Sequence, residues 1–163
     1  MRIFLAILCS LVLMGCATQE TFEMVGDENV LIAGTPAEIQ LSLPENTVAM
    51  TGVDGTNEMY YHCDGFDIHV QTMDGGAIEQ TIRKITGFEP TQLTIVRTDT
   101  ESFSKYSFVW STSGETECQV CRGMILDDGS HHYAVSVMAD YTQAGGLAEQ
   151  WNTLFSSVTI STD

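Results

Sequence analysis

The run Met59-Tyr60-Tyr61-His62-Cys63-Asp64-Gly65-Phe66-Asp67-Ile68-His69-Val70 restricts the fold of this chain more than any other stretch. Two β-rich segments flank Asp64-Gly65. Such a pair between such segments predicts a hairpin with a type I′ turn, in which both loop residues take positive φ. A two-residue loop also fixes the register: Cys63 faces Phe66, His62 faces Asp67, Tyr61 faces Ile68 and Tyr60 faces His69. Side chains alternate between the faces of a strand, so Met59, Tyr61, Cys63, Phe66, Ile68 and Val70 share one face. That face is apolar and belongs in a core, while Tyr60, His62, Asp67 and His69 share the other.

Glu38 to Leu43 alternates and stops at Pro44, as an early strand ending in a turn does. Ile78, Ile82 and Ile85 recur at helical spacing, and Arg83 and Lys84 sit where a helix C-terminus favours cations. Gly87 is a stop, so a short helix is expected over Asp74 to Lys84. Strands are expected at Leu93 to Val96, Phe103 to Ser111, Thr116 to Leu126 and His131 to Ala139. Asp128-Gly129 joins the last two in a second type I′ hairpin. A helix from about Ala144 to Ser156 carries Leu147, Trp151, Leu154 and Phe155 as one stripe that must cover the sheet. Asp54-Gly55-Thr56-Asn57-Glu58 reads as a turn.

Hairpin, helix, antiparallel meander and terminal helix make an α+β fold: a curved antiparallel sheet with one short and one C-terminal helix against it. Across roughly 37–160 this order resembles the PsbP/Mog1-type sandwich. A domain of this kind also looks like small lipoproteins common in gut Clostridia, a likeness that implies no activity.

The chain opens Met1-Arg2 and continues with an apolar run, Ile3 to Met14, in which Ser10 alone is polar. This is the length of a signal-peptide core and too short to span a bilayer as a helix. Leu13-Met14-Gly15-Cys16 resembles the lipobox of bacterial lipoproteins, with Met14 a less usual occupant of the second position. The resemblance implies cleavage before Cys16 and a diacylglycerol on its thiol. An ordinary secretory signal with a chance cysteine is the alternative, and either exports the domain. The expected organisation is a signal peptide at 1–15, lipid anchor and tether at 16–36, and a single α+β domain at 37–163. Within the tether, Thr21 to Val25 is a candidate first strand.

Twenty-two acidic residues against six basic ones give a net charge of −16, and loss of Arg2 with the leader makes it one unit more negative. Such a surface repels phosphate backbones and anionic headgroups, which argues against nucleic-acid binding. Membrane attachment must then come from the lipid. The charge serves solubility beside an anionic envelope or forms a face for calcium or a cationic peptide, although no EF-hand spacing occurs.

Cys118-Gln119-Val120-Cys121 has redox spacing, but it lies within a run that reads as strand. Residues i and i+3 of a strand are about 10 Å apart and face opposite ways, whereas a disulfide needs Cα atoms within about 7 Å. Unless Gly123 marks a bulge, the pair cannot close on itself. Buried thiols, a disulfide of Cys63 with Cys118 or Cys121, and a metal site that adds a histidine of His131-His132 remain as readings. His62, Asp67 and His69 share the outer face of the first hairpin. Two histidines and a carboxylate are the ligand set of open transition-metal sites; a solvated polar face with Asp67 pairing His62 is the plainer reading. Ser102 and Lys105 match the SxxK pattern of serine β-lactamases. There the pair sits at a helix start with partner motifs, and here it begins a strand without them. No GxSxG, HExxH, P-loop or Rossmann fingerprint occurs.

The expectation is a non-catalytic binding or accessory module, lipid-anchored on the extracytoplasmic face of a membrane, with no cofactor and a protein or small-molecule ligand that the sequence does not identify. Outer-membrane sorting is compatible with Ala17. A metal-binding protein using the His62/Asp67/His69 face is the alternative, followed by an enzyme whose site leaves no motif.

Overall fold

A computed structural model describes residues 23–25, 29–32, 37–50, 57–113 and 118–162. The leader, the lipobox with Cys16, and most of the Asp54–Glu58 turn lie outside the described residues.

The 59–70 hairpin forms as expected. Strands β5 (Glu58–Cys63) and β6 (Phe66–Asp74) pair with Cys63 opposite Phe66, His62 opposite Asp67 and Tyr60 opposite His69. The turn differs from the expectation. Only Gly65 has positive φ, at 86°, so the pair of left-handed residues that defines type I′ is absent, and a single one at the second loop position is the type II pattern.

The meander also forms, as β7 (Ile95–Asp99), β8 (Ser104–Ser113), β9 (Cys118–Asp127) and β10 (His131–Asp140). Its last hairpin pairs Asp127 with His132, which makes Gly129-Ser130 the loop rather than Asp128-Gly129. Gly129, at φ 87°, then takes the first loop position, where a type II′ turn requires glycine. The displaced Asp128 has another task. Its Oδ1 accepts from the backbone N–H groups of Ser130 and His131, and its Oδ2 accepts from the Tyr133 hydroxyl.

Strands β10 and β6 pair antiparallel and weld the meander to the first hairpin. With β1 (Glu23–Val25) and β4 (Thr47–Met50), the large sheet has eight strands among the described residues, in the order β1-β4-β5-β6-β10-β9-β8-β7. A second sheet of three strands runs β11-β3-β2, from β2 (Asn29–Ile32), β3 (Ala37–Ser42) and β11 (Thr159–Thr162). The α+β class with antiparallel pairing is therefore as expected. Within 16–36 the candidate first strand at Thr21 to Val25 is present as β1, and β2 adds a strand that was not expected. Strands β4 and β11 were not expected at all.

Helix α1 (Ile78–Thr86) begins later than the pattern suggested, since Asp74 is still strand and pairs with His131. Gly87 caps it in the left-handed conformation, its N–H donating to the Arg83 carbonyl. The C-terminal helix is broken: α2 (Tyr141–Ala144) ends at Gly145-Gly146 and α3 (Ala148–Ser157) follows. Each glycine costs a helix interior about 1 kcal/mol relative to alanine, and here two in succession suffice to turn the chain.

The large sheet is apolar on both faces. On one, Tyr61, Cys63, Phe66, Ile68 and Val70 join β3 and the α3 stripe of Leu147, Trp151, Leu154 and Phe155 in the main core. Phe66 meets Trp151 edge to face at 6.2 Å. On the other, α1 lays Ile82 over Tyr106, Phe108, Ile125 and Ala134. A nine-residue helix is about 14 Å long, too short to cover an eight-stranded face.

Candidate functional site

The face of the first hairpin that carries the candidate ligands is laid out as expected, but its residues do not converge. His62 Nδ1 and Asp67 Oδ1 lie 2.6 Å apart, both side chains half or more exposed. His69 turns away and stacks on Tyr60, with ring centroids 4.1 Å apart and planes 6° from parallel. Its buried Nε2 makes no hydrogen bond and stands 3.4 Å from Glu58 Oε2, an oxygen that also accepts from the Tyr60 hydroxyl. Burial holds the His69 pKa below the ordinary value; Glu58 opposes that shift and Lys84 reinforces it. The two histidines thus have separate partners, and among the described residues no three His, Cys, Asp or Glu side chains are placed to hold a metal ion.

The cysteines are corrected in the same way. Cys118 and Cys121 lie on β9 in unbroken register through Gly123, so no bulge lets them meet. Cys118 is exposed and Cys121 buried. The disulfide considered for Cys63 is not formed. Strand β5 is separated from β9 by β6 and β10, three spacings or about 14 Å, and Cys63, Cys118 and Cys121 are all free thiols. Cys63 contacts the Thr47 hydroxyl at 3.4 Å. Burial pushes the Cys121 thiol up to about 11, the opposite of what a nucleophile needs. His132, considered as a further ligand, is buried with Nδ1 2.6 Å from Thr81 Oγ1, and so ties β10 to α1. Ser102 stands in a bend and Lys105 on β8, so no helix presents one to the other.

The part of the sheet that α1 leaves open forms a groove of about 420 Å³ among the described residues, within the range of small-molecule sites. Register explains its floor. Tyr60, His69 and Ser136, which line it, lie side by side across β5, β6 and β10, in a row that Gly123 of β9 and Phe108 of β8 continue beyond the lining. One step along the strands, on the same face, Asp67, Met138, Cys121 and Trp110 form the next row. Ile85 and Thr86 at the end of α1 contribute to the lining, as does Met50 of β4. Gly123 is needed sterically: a Cβ there would stand 2.7 Å from the Phe108 ring and 3.0 Å from that of Trp110. Its absence lets the two rings lie down across β9.

Asp67 and His69 stand out in the sequence as part of a polar face or as candidate metal ligands, and the Asp67–His62 pairing of the plainer reading is present; Trp110, Met138 and Ser136 are not singled out there. Each of those three sits at an even position on a strand whose odd or even face could be assigned. What sequence alone lacks is the cross-strand register that brings Trp110 and Met138 into line with Asp67, and Ser136 into line with His69.

No family model matches the chain, and no curated protein matches its sequence. Several solved structures share its fold, two of them as follows. A crystal structure from Bacteroides thetaiotaomicron superposes with a TM-score of 0.54 at 9% identity, over 77% of this chain and 46% of that one. The chain therefore spans about half the length of that protein. LpqN of Mycobacterium tuberculosis, described as involved in cell envelope biogenesis, superposes with a TM-score of 0.52 at 15% identity, over 88% of this chain and 91% of its own. At these identities the likeness is one of fold.

Proposed function

We propose that this chain is a lipid-anchored extracytoplasmic lipoprotein acting as a non-catalytic binding or accessory module of the cell envelope. The observation that carries the reading is Leu13-Met14-Gly15-Cys16 closing an apolar run, Ile3 to Met14, in which Ser10 alone is polar. That LpqN, a protein of envelope biogenesis, shares the fold along nearly its whole length supports it. So does the shape of the domain. Its groove is mostly apolar, and the titratable groups beside it are engaged with one another: His62 with Asp67, His69 with Glu58. A catalytic site brings an acid, a base or a nucleophile to bear on one point. Among the described residues no helix is long and apolar enough to cross a membrane, so on this reading the acyl chains on Cys16 hold the domain in place.

Cys16→Ser tests the anchor. The variant should stay uncleaved by lipoprotein signal peptidase and take up no clickable fatty acid, while the wild-type chain is processed and labelled. A variant processed and labelled like wild type would end the lipoprotein reading.

A further inference from the structure

We infer that the groove beside α1 is a binding site for a small organic cation carrying an apolar body, such as an aromatic or alkyl quaternary ammonium. The inference rests on the reading of the domain as a binding module and names its ligand class. Three observations select that class. The lining is largely apolar, with Met50 and Met138 at the rim, each a little over one-third exposed. Thioether side chains of this kind adapt to irregular apolar shapes. The second observation is aromatic. Tyr60, held flat by its stack on His69, stands at one end of the groove and Trp110 at the other, and the faces of such rings attract cations.

The third is charge. Asp67 lies in the lining with its side chain half exposed, Glu58 stands behind Tyr60 and His69, and among the described residues no lysine or arginine lines the groove. Lys84 is the cation that acts on His69, and His62 engages one oxygen of Asp67; both temper the local field without reversing it. At long range the net charge of −16 draws cations toward the molecule and turns anions away. A fatty acid or phospholipid would meet unfavourable charge both in approach and in the groove.

The test uses the chain from residue 16 onward with Cys16→Ser, which keeps every described residue. Isotopically labelled protein is titrated with benzyltrimethylammonium, benzyl alcohol and benzoate, three probes with the same ring and different charge. The Trp110 indole N–H is the reporter, and Trp151, buried on the opposite face, is the internal control. The cation should move Trp110 and leave Trp151 still, and it should bind at least tenfold more tightly than benzoate, with the alcohol between. Asp67→Asn should weaken the cation at least threefold without changing the alcohol, and Tyr60→Ala should weaken the cation similarly. Met138→Lys, at an exposed rim position, should abolish cation binding while the Trp151 resonance stays at its wild-type position. Equal or tighter benzoate binding, shifts centred on Trp151, or no response to any probe at millimolar concentration would overturn the inference. None of those outcomes touches the Cys16 processing test, so the ligand and the anchored module fail separately.

Discussion

Tyr61 sits near the middle of β5 with 1% exposure, and its hydroxyl makes no hydrogen bond among the described residues. A buried hydroxyl without a partner loses its water and gains nothing in return, at about 1–3 kcal/mol. Tyr61→Phe should therefore leave the urea midpoint unchanged or raise stability by about 1 kcal/mol, whereas most core substitutions lower it. The same residue shapes the alkaline limb of stability. Burial lifts Tyr61 from 10.0 to about 12 and Cys121 from 9.0 to about 11. Both are acids whose neutral form the fold prefers, so their contribution is fully present below pH 9, where neither folded nor unfolded chain ionises. It is lost as pH rises, first between 9 and 11 as the unfolded thiol ionises, then between 10 and 12 for the phenol; the unfolded chain releases protons that the folded chain retains. Denaturation followed from pH 8 upward should show stability flat at first and then falling, with a shallower fall in Tyr61→Phe.

Among the elements, α3 does most to close the main core. Trp151 is 5% exposed against Phe66, and Arg122 of β9 reaches across to it from the sheet side, donating to Asn152 Oδ1 at 2.6 Å and lying 4.6 Å over the Phe155 ring. Trp151→Ala should cost about 3–5 kcal/mol, as truncation of a buried aromatic does; a midpoint near wild type in urea would mean that α3 does not cover the sheet. The break before α3 predicts the opposite sign. Gly145 has ordinary helical φ of −63°, and a Cβ there would meet nothing within 4 Å. Gly145→Ala should add about 0.4–1 kcal/mol by restricting the unfolded chain.

These elements also show what could be read without coordinates. The 59–70 hairpin was legible down to its register, because a two-residue loop and strict alternation leave one solution. The stripe Leu147-Trp151-Leu154-Phe155 was legible because it lies on α3 and its N-cap, beyond the break at Gly145-Gly146. The turns were not. Asp-Gly permits several geometries, and Asp128 left the loop to cap Ser130 and His131, a choice made by hydrogen bonds formed only once the strands meet. Strands β4 and β11, at Thr47–Met50 and Thr159–Thr162, are four residues each, too short for alternation to declare itself. The groove was the least legible feature, since it is a property of five strands in register.

For the whole molecule the dominant fact is charge. At −16 the folded chain repels itself more than the expanded one does. Raising NaCl from about 0.01 M to about 0.1 M shortens the screening length from roughly 30 Å to about 10 Å. The urea midpoint should rise across that range with its slope unchanged, and a flat or falling midpoint would show that attractive pairs such as Arg83–Glu89 and Arg97–Asp99 outweigh the repulsion.

Strand β3 lies between β2 and β11 in the small sheet, so Ile39 near the start of the domain is paired with Ile160 near its end. Chains are made and delivered from the N-terminus. Until residues 159–162 emerge, one side of β3 offers bare N–H and C=O groups to any passing strand, the kind of edge on which aggregation begins. Residues 159–162 therefore close one side of the small sheet, and a variant lacking them should expose that side of β3 and aggregate more readily than the intact chain.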